Sequence, residues 1–180
     1  MLNVERMVIL MYDSKPDTLL HKDKVKDYMK MAGKELIFRG MIHDDSKLQY
    51  PEKDIFDEYT PKLSSCTYGS EEYKSYLKEM QVALNHHYSE NDHHPEYFGM
   101  RYKKRSTGEP YFKGLAGMNV FQLTEMIMDW YAASQRHKDG DIFKSIEQNQ
   151  ERFGYTDEVK MILINTINYI QYKEEKSKKK

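Results

Sequence analysis

Apolar residues recur at the spacing of a helix along most of this chain. After Ser70, a suitable helix N-cap, one apolar stripe steps by three or four residues through Tyr73, Leu77, Met80, Leu84 and His87. Such steps place side chains on one face of an α-helix, whereas a half-buried strand alternates with a period of two. No segment alternates in that way for long enough to indicate a sheet. The sequence therefore predicts an all-α fold, organised as a single-domain helical bundle.

The same spacing, together with N-caps and glycines, divides the chain into helices. We predict helices at residues 17–32, 34 to about 42, within 51–69, from 71 onward, 119 to about 137, 142–152 and 157–172. Asp17 is the expected N-cap of the first helix, and Gly33 is its expected end. Asn119 and Gln122 have the spacing of a capping box at the start of a later helix. Residues 89–118 are predicted to form a long loop with about one turn of helix.

Length and composition limit the organisation and the partners of the chain. Its 180 residues suffice for one domain with a real core. We place this domain at residues 17–172, after an N-terminal segment at 1–16 and before a charged, disordered tail at 173–180. The 28 basic and 29 acidic residues nearly cancel, so the net charge gives no attraction to nucleic acid or to a membrane.

Two further features favour a soluble, cytoplasmic protein. The chain has a single cysteine, Cys66, which excludes an internal disulfide framework and suits a reducing compartment. The apolar run VILMY at residues 8–12 is too short for a signal peptide or a membrane-spanning helix. The sequence does not decide between a monomer and a homo-oligomer.

The histidines are the feature that points to chemistry. Six of the seven, with two aspartates, follow the order H, HD, HH, HH, D: His21, His43 with Asp44, His86 with His87, His93 with His94, and Asp129. Imidazole and carboxylate groups are the ligands of divalent metals such as zinc, iron and manganese. This order therefore predicts a metal site.

Helix geometry limits which of these residues can share an ion. In one continuous helix, His21 and His43 would lie about 33 Å apart at 1.5 Å per residue. A hairpin broken at Gly33 would instead return His43 to the level of His21. His43 and Asp44 are neighbours in sequence, so they converge most easily where their helix ends. His87 lies on the apolar stripe and is favoured over His86, which points about 100° away.

At these residues the chain resembles the HD-domain superfamily of metal-dependent phosphohydrolases. The resemblance rests on HKDKV at His21, MIHDDSK at His43 and EMIMDW at Asp129, and it covers residues 17–133. The motifs HDDSK, NHHYSENDHHPE and EMIMDW together resemble more narrowly a small uncharacterised HD-like family of phage and bacterial sequences. The resemblance implies a helical bundle of the HD-domain type, with His21, His43, Asp44 and Asp129 as metal ligands.

The resemblance also implies a second set of ligands and a reaction. In branches of the superfamily with two metals, additional histidines hold the second ion, and His87, His93 and His94 are the candidates here. The sequence favours His87 over His86 but does not decide between His93 and His94. One or two divalent ions are implied, and Mn, Fe, Zn, Co, Ni and Mg are all compatible. The implied reaction is hydrolysis of a small phosphate ester, such as a nucleotide, by a water that the metal activates.

Two cationic residues near the HD pair are candidates for contacts to substrate phosphate. Lys47 occupies the place of the lysine in the HD-x-G-K pattern of cyclic-dinucleotide phosphodiesterases, although Ser46 replaces the glycine. Arg39 lies one helical turn before His43 and could also reach a phosphate oxygen. Asp44 and Lys47 are the predicted catalytic residues, and His94 is a third candidate for contact with the phosphate. Surface ion pairing is the alternative role of Arg39 and Lys47.

Two other functions are compatible with the same residues. The histidines could hold a structural metal or a ligand in a protein that catalyses no reaction, because a structural ion is saturated by protein ligands. The same ligand set would also suit an HD-fold oxygenase that uses two irons. A guanosine tetraphosphate hydrolase is disfavoured, because such proteins resemble HDxxED and this chain has HDDSK.

Overall fold

The computed structural model of the chain describes residues 12–67, 69–110, 114–136 and 140–179. These residues form eight α-helices: α1 (Lys15–Ile42), α2 (Glu52–Ser65), α3 (Glu71–Glu79), α4 (Gln81–Glu90), α5 (Pro95–Arg101), α6 (Val120–Ser134), α7 (Ile142–Phe153) and α8 (Asp157–Lys178). A 3₁₀ turn at Asp45–Leu48 follows α1. No strand occurs within these ranges, so the prediction of an all-α, single-domain protein is confirmed.

The main core lies between α6, α7 and α8. It contains six buried side chains: Ile127, Ile142, Ile146, Tyr155, Leu163 and Ile167. The chain turns from α7 into α8 at Gly154, whose φ of 67° is readily adopted only by glycine. Since α6 contributes to this core and also contacts α1, it connects the core to the region where α1 ends.

The start of α6 confirms the predicted capping box. The side chain of Asn119 accepts a hydrogen bond from the backbone N–H of Gln122 at 3.1 Å. In return, the backbone N–H of Asn119 donates to the side-chain oxygen of Gln122 at 2.8 Å. Both bonds satisfy amides that a helix start would otherwise leave unpaired, and they fix the residue at which α6 begins.

The predicted stripe after Ser70 is divided between two helices. Ser70 caps α3 as expected, because its hydroxyl accepts a hydrogen bond from the backbone N–H of Tyr73 at 3.1 Å. The chain then breaks at Met80, which is completely buried, before α4 begins. The stripe still faces inward across the break, and it brings His87 into the interior near the end of α4.

The predicted break at Gly33 is wrong, because α1 continues through this residue to Ile42. A glycine inside a helix costs only about 1 kcal/mol, which the good helix formers on both sides outweigh. The N-cap position belongs to Ser14, and Asp17 lies in the first turn. None of the residues of α1 is buried. In the described part of the chain, no helix combines the length and the apolar character needed to cross a membrane.

The ends of the chain also differ from the prediction. Helix α8 continues to Lys178 instead of ending at Tyr172, so most of the segment predicted as a disordered tail is helical. No proline or glycine interrupts this segment, and its lysines and glutamates are good helix formers. Helix α6 ends at Ser134, three residues before the predicted end at about His137. The VILM part of the VILMY run, before Tyr12, lies outside the described residues.

Replacing Ile146 with alanine should lower the free energy of unfolding by about 2–5 kcal/mol, the usual cost of a cavity in a core. Ile146 is 0% exposed, whereas Ile162 on α8 is 53% exposed and serves as the control. The Ile162→Ala change should cost less than about 1 kcal/mol. Urea denaturation followed by circular dichroism measures both values. Equal costs for the two variants would contradict the assignment of Ile146 to the core.

Candidate metal centre

The candidate site begins where α1 ends. His43 is the C-cap of α1, and Asp44 has a left-handed backbone with φ 60°. Aspartate tolerates this conformation better than most residues, but it is uncommon outside glycine and often occurs at functional sites. The change of direction brings the side chains of His43 and Asp44 toward the same space. The prediction that the helix ends at this pair is confirmed.

Asp44 lies among three imidazoles, and together they form a group of four possible metal donors: Asp44, His87, His93 and His94. We refer to it as the four-donor group. The Oδ1 atom of Asp44 lies 3.3 Å from Nε2 of His87 and 3.4 Å from Nε2 of His93. Nε2 of His87 lies 2.9 Å from Nε2 of His94. All four donor atoms lie within 4.8 Å of one another, as the ligands of one ion would.

Two atoms of this group are buried without a partner. Oδ1 of Asp44 and Nε2 of His93 make no hydrogen bond among the described residues. Their separation of 3.4 Å exceeds the usual length of a hydrogen bond between nitrogen and oxygen. Buried polar atoms are nearly always satisfied, and a cation between these two would satisfy both. The residues present therefore fit a metal ion.

Two carboxylates orient the imidazoles of the four-donor group. Nδ1 of His87 lies 2.9 Å from Oε2 of Glu52, and Nδ1 of His93 lies 3.0 Å from Oε1 of Glu125. Since a carboxylate can only accept, Nδ1–H is the donor in each pair, and Nε2 keeps its lone pair for a metal. Carboxylate–histidine pairs of this kind fix the tautomer and the ring orientation at metal sites.

Glu52 is completely buried in the first turn of α2. Besides His87, it accepts hydrogen bonds from Nδ1 of His86 at 2.7 Å and from the hydroxyl of Ser46 at 3.1 Å. His86 therefore contacts Glu52. His87, which the sequence favoured as the ligand, belongs to the four-donor group. His93 and His94, which the sequence could not separate, both lie in that group.

Glu125 on α6 connects several parts of the centre. Its Oε1 accepts a hydrogen bond from Nδ1 of His43 at 2.8 Å and lies 3.0 Å from Nδ1 of His93. Its Oε2 lies 2.7 Å from Nε of Arg39. Burial alone would raise the pKa of Glu125, but its contacts with His43, His93 and Arg39 lower that pKa well below the usual range. Arg39 also pairs with Asp92. Its guanidinium is thus engaged in internal ion pairs.

A second group of donors shares Asp44 with the first. It contains His43, Asp44 and Asp129, and we refer to it as the three-donor group. Nε2 of His43 lies 3.4 Å from Oδ2 of Asp44 and 3.5 Å from Oδ1 of Asp129. The side chains of His43 and Asp129 are 26% and 22% exposed, compared with 2% for His87. The three-donor group is therefore the more open of the two.

The protonation states of these donors decide which of them can bind a cation directly. Burial raises the pKa of Asp44, but His87, His93 and Lys47 outweigh this effect, so its pKa lies well below the usual range. Burial, with His93 and His87 nearby, lowers the pKa of His94 to about 2. Interaction with Asp129, and to a smaller extent with Glu125, raises the pKa of His43 to about 10. Asp44 and His94 thus have the unprotonated forms that bind metal, whereas His43 must lose a proton first.

Comparison with known protein families identifies the chain. Residues 11–174 match DUF5662, a family of unknown function. The protein belongs to the DUF5662 family. This match covers nearly the whole chain but assigns no activity, and it does not show membership of the HD-domain superfamily. No curated protein and no solved structure matches the chain.

In this DUF5662 protein, the fold separates His21 from the other predicted ligands. His21 lies on the exposed part of α1, about 33 Å along the continuous helix from His43 at 1.5 Å per residue. The hairpin that would have joined them does not form, so His21 and His43 of one chain cannot share an ion. Lys47 remains at the centre, where its Nζ lies 2.6 Å from Oδ2 of Asp44.

Glu52 and Glu125 of the DUF5662 protein were not predicted from the sequence. Glu125 could have been found, because it lies one helical turn before Asp129 on the same face of α6. Glu52 carries no comparable signal, since an acidic residue in the first turn of a helix is common. Only the packing of α2 against α4 brings its carboxylate to His87.

Replacing Glu52 with glutamine should weaken the binding of zinc to this DUF5662 protein by about 10–100-fold, the usual effect of losing a carboxylate that supports a metal-bound histidine. The amide cannot serve as an anionic acceptor for both His86 and His87. Competition with a chromophoric chelator measures the affinity. Glu58→Gln is the control, because Glu58 lies on the same helix and pairs with Lys62 at the surface. Equal affinities in the two variants would contradict the role of Glu52.

Proposed function

We propose that this protein is a metal-dependent phosphohydrolase that acts on a nucleotide or another small phosphorylated molecule. The observation that carries the proposal is the position of Asp44 between two groups of donors. Its Oδ1 faces the four-donor group, and its Oδ2 faces the three-donor group. Asp44 would therefore supply one ligand atom to each of two ions, and enzymes with two metal ions commonly hydrolyse phosphate esters.

The resemblance of residues 17–133 to the HD-domain superfamily supports the same reaction. The HD pair and the distant aspartate, which the resemblance implies as ligands, are His43, Asp44 and Asp129, and these form the three-donor group. His21 is absent from it, while His87, His93 and His94 supply a second set. The candidate centre therefore contains the ligands of the HD-type order except the first histidine, His21.

The two donor groups suit different roles. Four protein donors can complete the tetrahedral coordination of an ion such as zinc, whereas three leave a position open for water or substrate. The three-donor group is also the more exposed one. We therefore assign the reacting phosphate to the three-donor group and a mainly supporting role to the four-donor group.

A metal held by His43, Asp44 and Asp129 would supply a bound water of lowered pKa and an electrophile for the phosphoryl oxygen. The residues of the chain position these groups and balance their charge. Asp44 fixes the distance between the two donor sets. Lys47 is only partly exposed and donates to Oδ2 of Asp44, so its ammonium lies at the more open group and can stabilise charge on a bound phosphate. Arg39 acts indirectly, by holding Glu125 against His43.

One observation favours a second function. The four-donor group is largely buried and could by itself saturate an ion, which is typical of a structural metal. In that case the protein would bind metal without catalysing a reaction. Metal content and activity measured on the same preparations distinguish these functions.

The Asp44→Asn variant should lose bound metal and should hydrolyse phosphate esters about a hundredfold more slowly or worse, because a catalytic metal contributes several kcal/mol. Asparagine tolerates the left-handed backbone at this position, so the fold should persist. Mass spectrometry of the metals measures occupancy. A panel of nucleotides, cyclic dinucleotides and phosphomonoesters, tested with Mn, Fe, Zn, Co, Ni and Mg, measures activity.

Asp45→Asn is the matched control, because Asp45 is the next residue, is exposed and belongs to neither donor group. It should keep both metal and activity. Normal metal binding by both variants, with no hydrolysis by the wild-type protein, would exclude the enzyme. Bound metal that depends on Asp44, again without hydrolysis of any ester, would favour the structural role.

A further inference from the structure

A cavity of about 270 Å³ adjoins the three-donor group between α1 and α6. His43 and Asp129 are among the residues that line it. The walls include apolar atoms from both helices, contributed by Leu36 and Gly40 of α1 and by Met128 and Ala132 of α6. Its volume approaches the lower end of the range for pockets that bind small molecules.

The other polar side chains of this cavity already have hydrogen-bond or ion-pair partners, although Nε of Arg39 makes no hydrogen bond to a described residue. The hydroxyl of Thr124 donates to the backbone oxygen of Val120 at 2.7 Å. Arg39 and Glu125 pair with each other, and Glu125 also binds His43. A molecule in the cavity would therefore meet His43 and Asp129, which could hold a metal that binds phosphate, and a surface that is otherwise mainly apolar.

We infer that this cavity binds the apolar organic group of the substrate, which makes the substrate the phosphate ester of a compact apolar alcohol or phenol. The inference rests on the proposed function, because it assumes that phosphate binds at the three-donor group. A sugar or a nucleobase would lose its hydrogen bonds with water in this cavity and find few replacements, which is costly. A phenyl group makes no such hydrogen bonds with water, so its burial in the cavity is favourable.

Gly40 offers a direct way to test this assignment. It lines the cavity, and a Cβ atom at Gly40 would meet no heavy atom within 4 Å. A larger side chain there can fill the cavity without a backbone clash. Gly33 of the same helix is equally free of contacts within 4 Å but does not line the cavity. Because both glycines lie inside α1, Gly33→Leu reproduces the gain in helix propensity and serves as the matched control.

Calorimetry measures the binding of phenylphosphonate and methylphosphonate to the manganese-loaded protein. The phosphorus–carbon bond of these ligands resists hydrolysis. The wild-type protein and Gly33→Leu should bind phenylphosphonate about tenfold more tightly than methylphosphonate, because of the buried ring. Gly40→Leu should lose this preference and keep its affinity for methylphosphonate. Ala132→Leu, which fills the cavity from α6, should behave in the same way if Gly40→Leu fails to fold.

The inference is overturned if the wild-type protein binds neither phosphonate, if it binds both equally, or if a variant with a filled cavity that folds keeps the preference. Tighter binding of a non-hydrolysable phosphonate analogue of adenosine monophosphate would also overturn it. Hydrolysis of phenyl phosphate and methyl phosphate is measured separately. The expected binding pattern without hydrolysis contradicts the proposed function alone, whereas hydrolysis without a preference for the phenyl ester contradicts the cavity assignment alone.

Discussion

The largely buried carboxylate of Asp44 is the constraint on which the rest of the centre depends. A carboxylate removed from water must be compensated by hydrogen bonds, by opposite charge or by a metal. One oxygen of Asp44 accepts a hydrogen bond from the ammonium of Lys47, while its other oxygen faces His87 and His93 without a hydrogen bond to any described residue. The end of α1 and the left-handed backbone of Asp44 create this position. Glu52 and Glu125 contact Nδ1 of His87 and of His93, so that Nε2 of each ring faces Asp44.

The centre contains more negative charge than its fixed cations balance. Four carboxylates surround the histidines: Asp44, Glu52, Glu125 and Asp129. Two cationic side chains pair with them, since Arg39 pairs with Glu125 and Lys47 pairs with Asp44. Without a metal, a proton on His43 supplies part of the balance, which agrees with its pKa of about 10. A divalent ion can supply the same charge while releasing such protons. Metal binding and the stability of this region are therefore coupled.

The sequence predicted the features that depend on neighbouring residues. The capping box at Asn119, the end of α1 at His43 and the inward direction of His87 all follow from local geometry and hydrophobic spacing. Gly33 misled because a single glycine weakens a helix by too little to decide whether it continues. Glu52 could not have been identified, because its contact with His87 spans two helices that pattern alone does not place together.

The donors come from three separate parts of the chain, and one of these parts supplies three of the four histidines that lie within nine residues. His87 is in the last turn of α4, and His93 and His94 follow in the short turn before α5. The side chain of Asn91 fastens that turn by donating to the hydroxyl of Ser46 and to the backbone oxygen of His87, both at 2.8 Å. The turn thus lies against the end of α1, with Glu125 of α6 on the other side of His93. An ion at the four-donor group would link the ends of α1 and α4, and the three-donor group extends this link to α6 through Asp129. The side chains that could hold a metal therefore also help to fix the position of α1, a helix with no buried residue of its own.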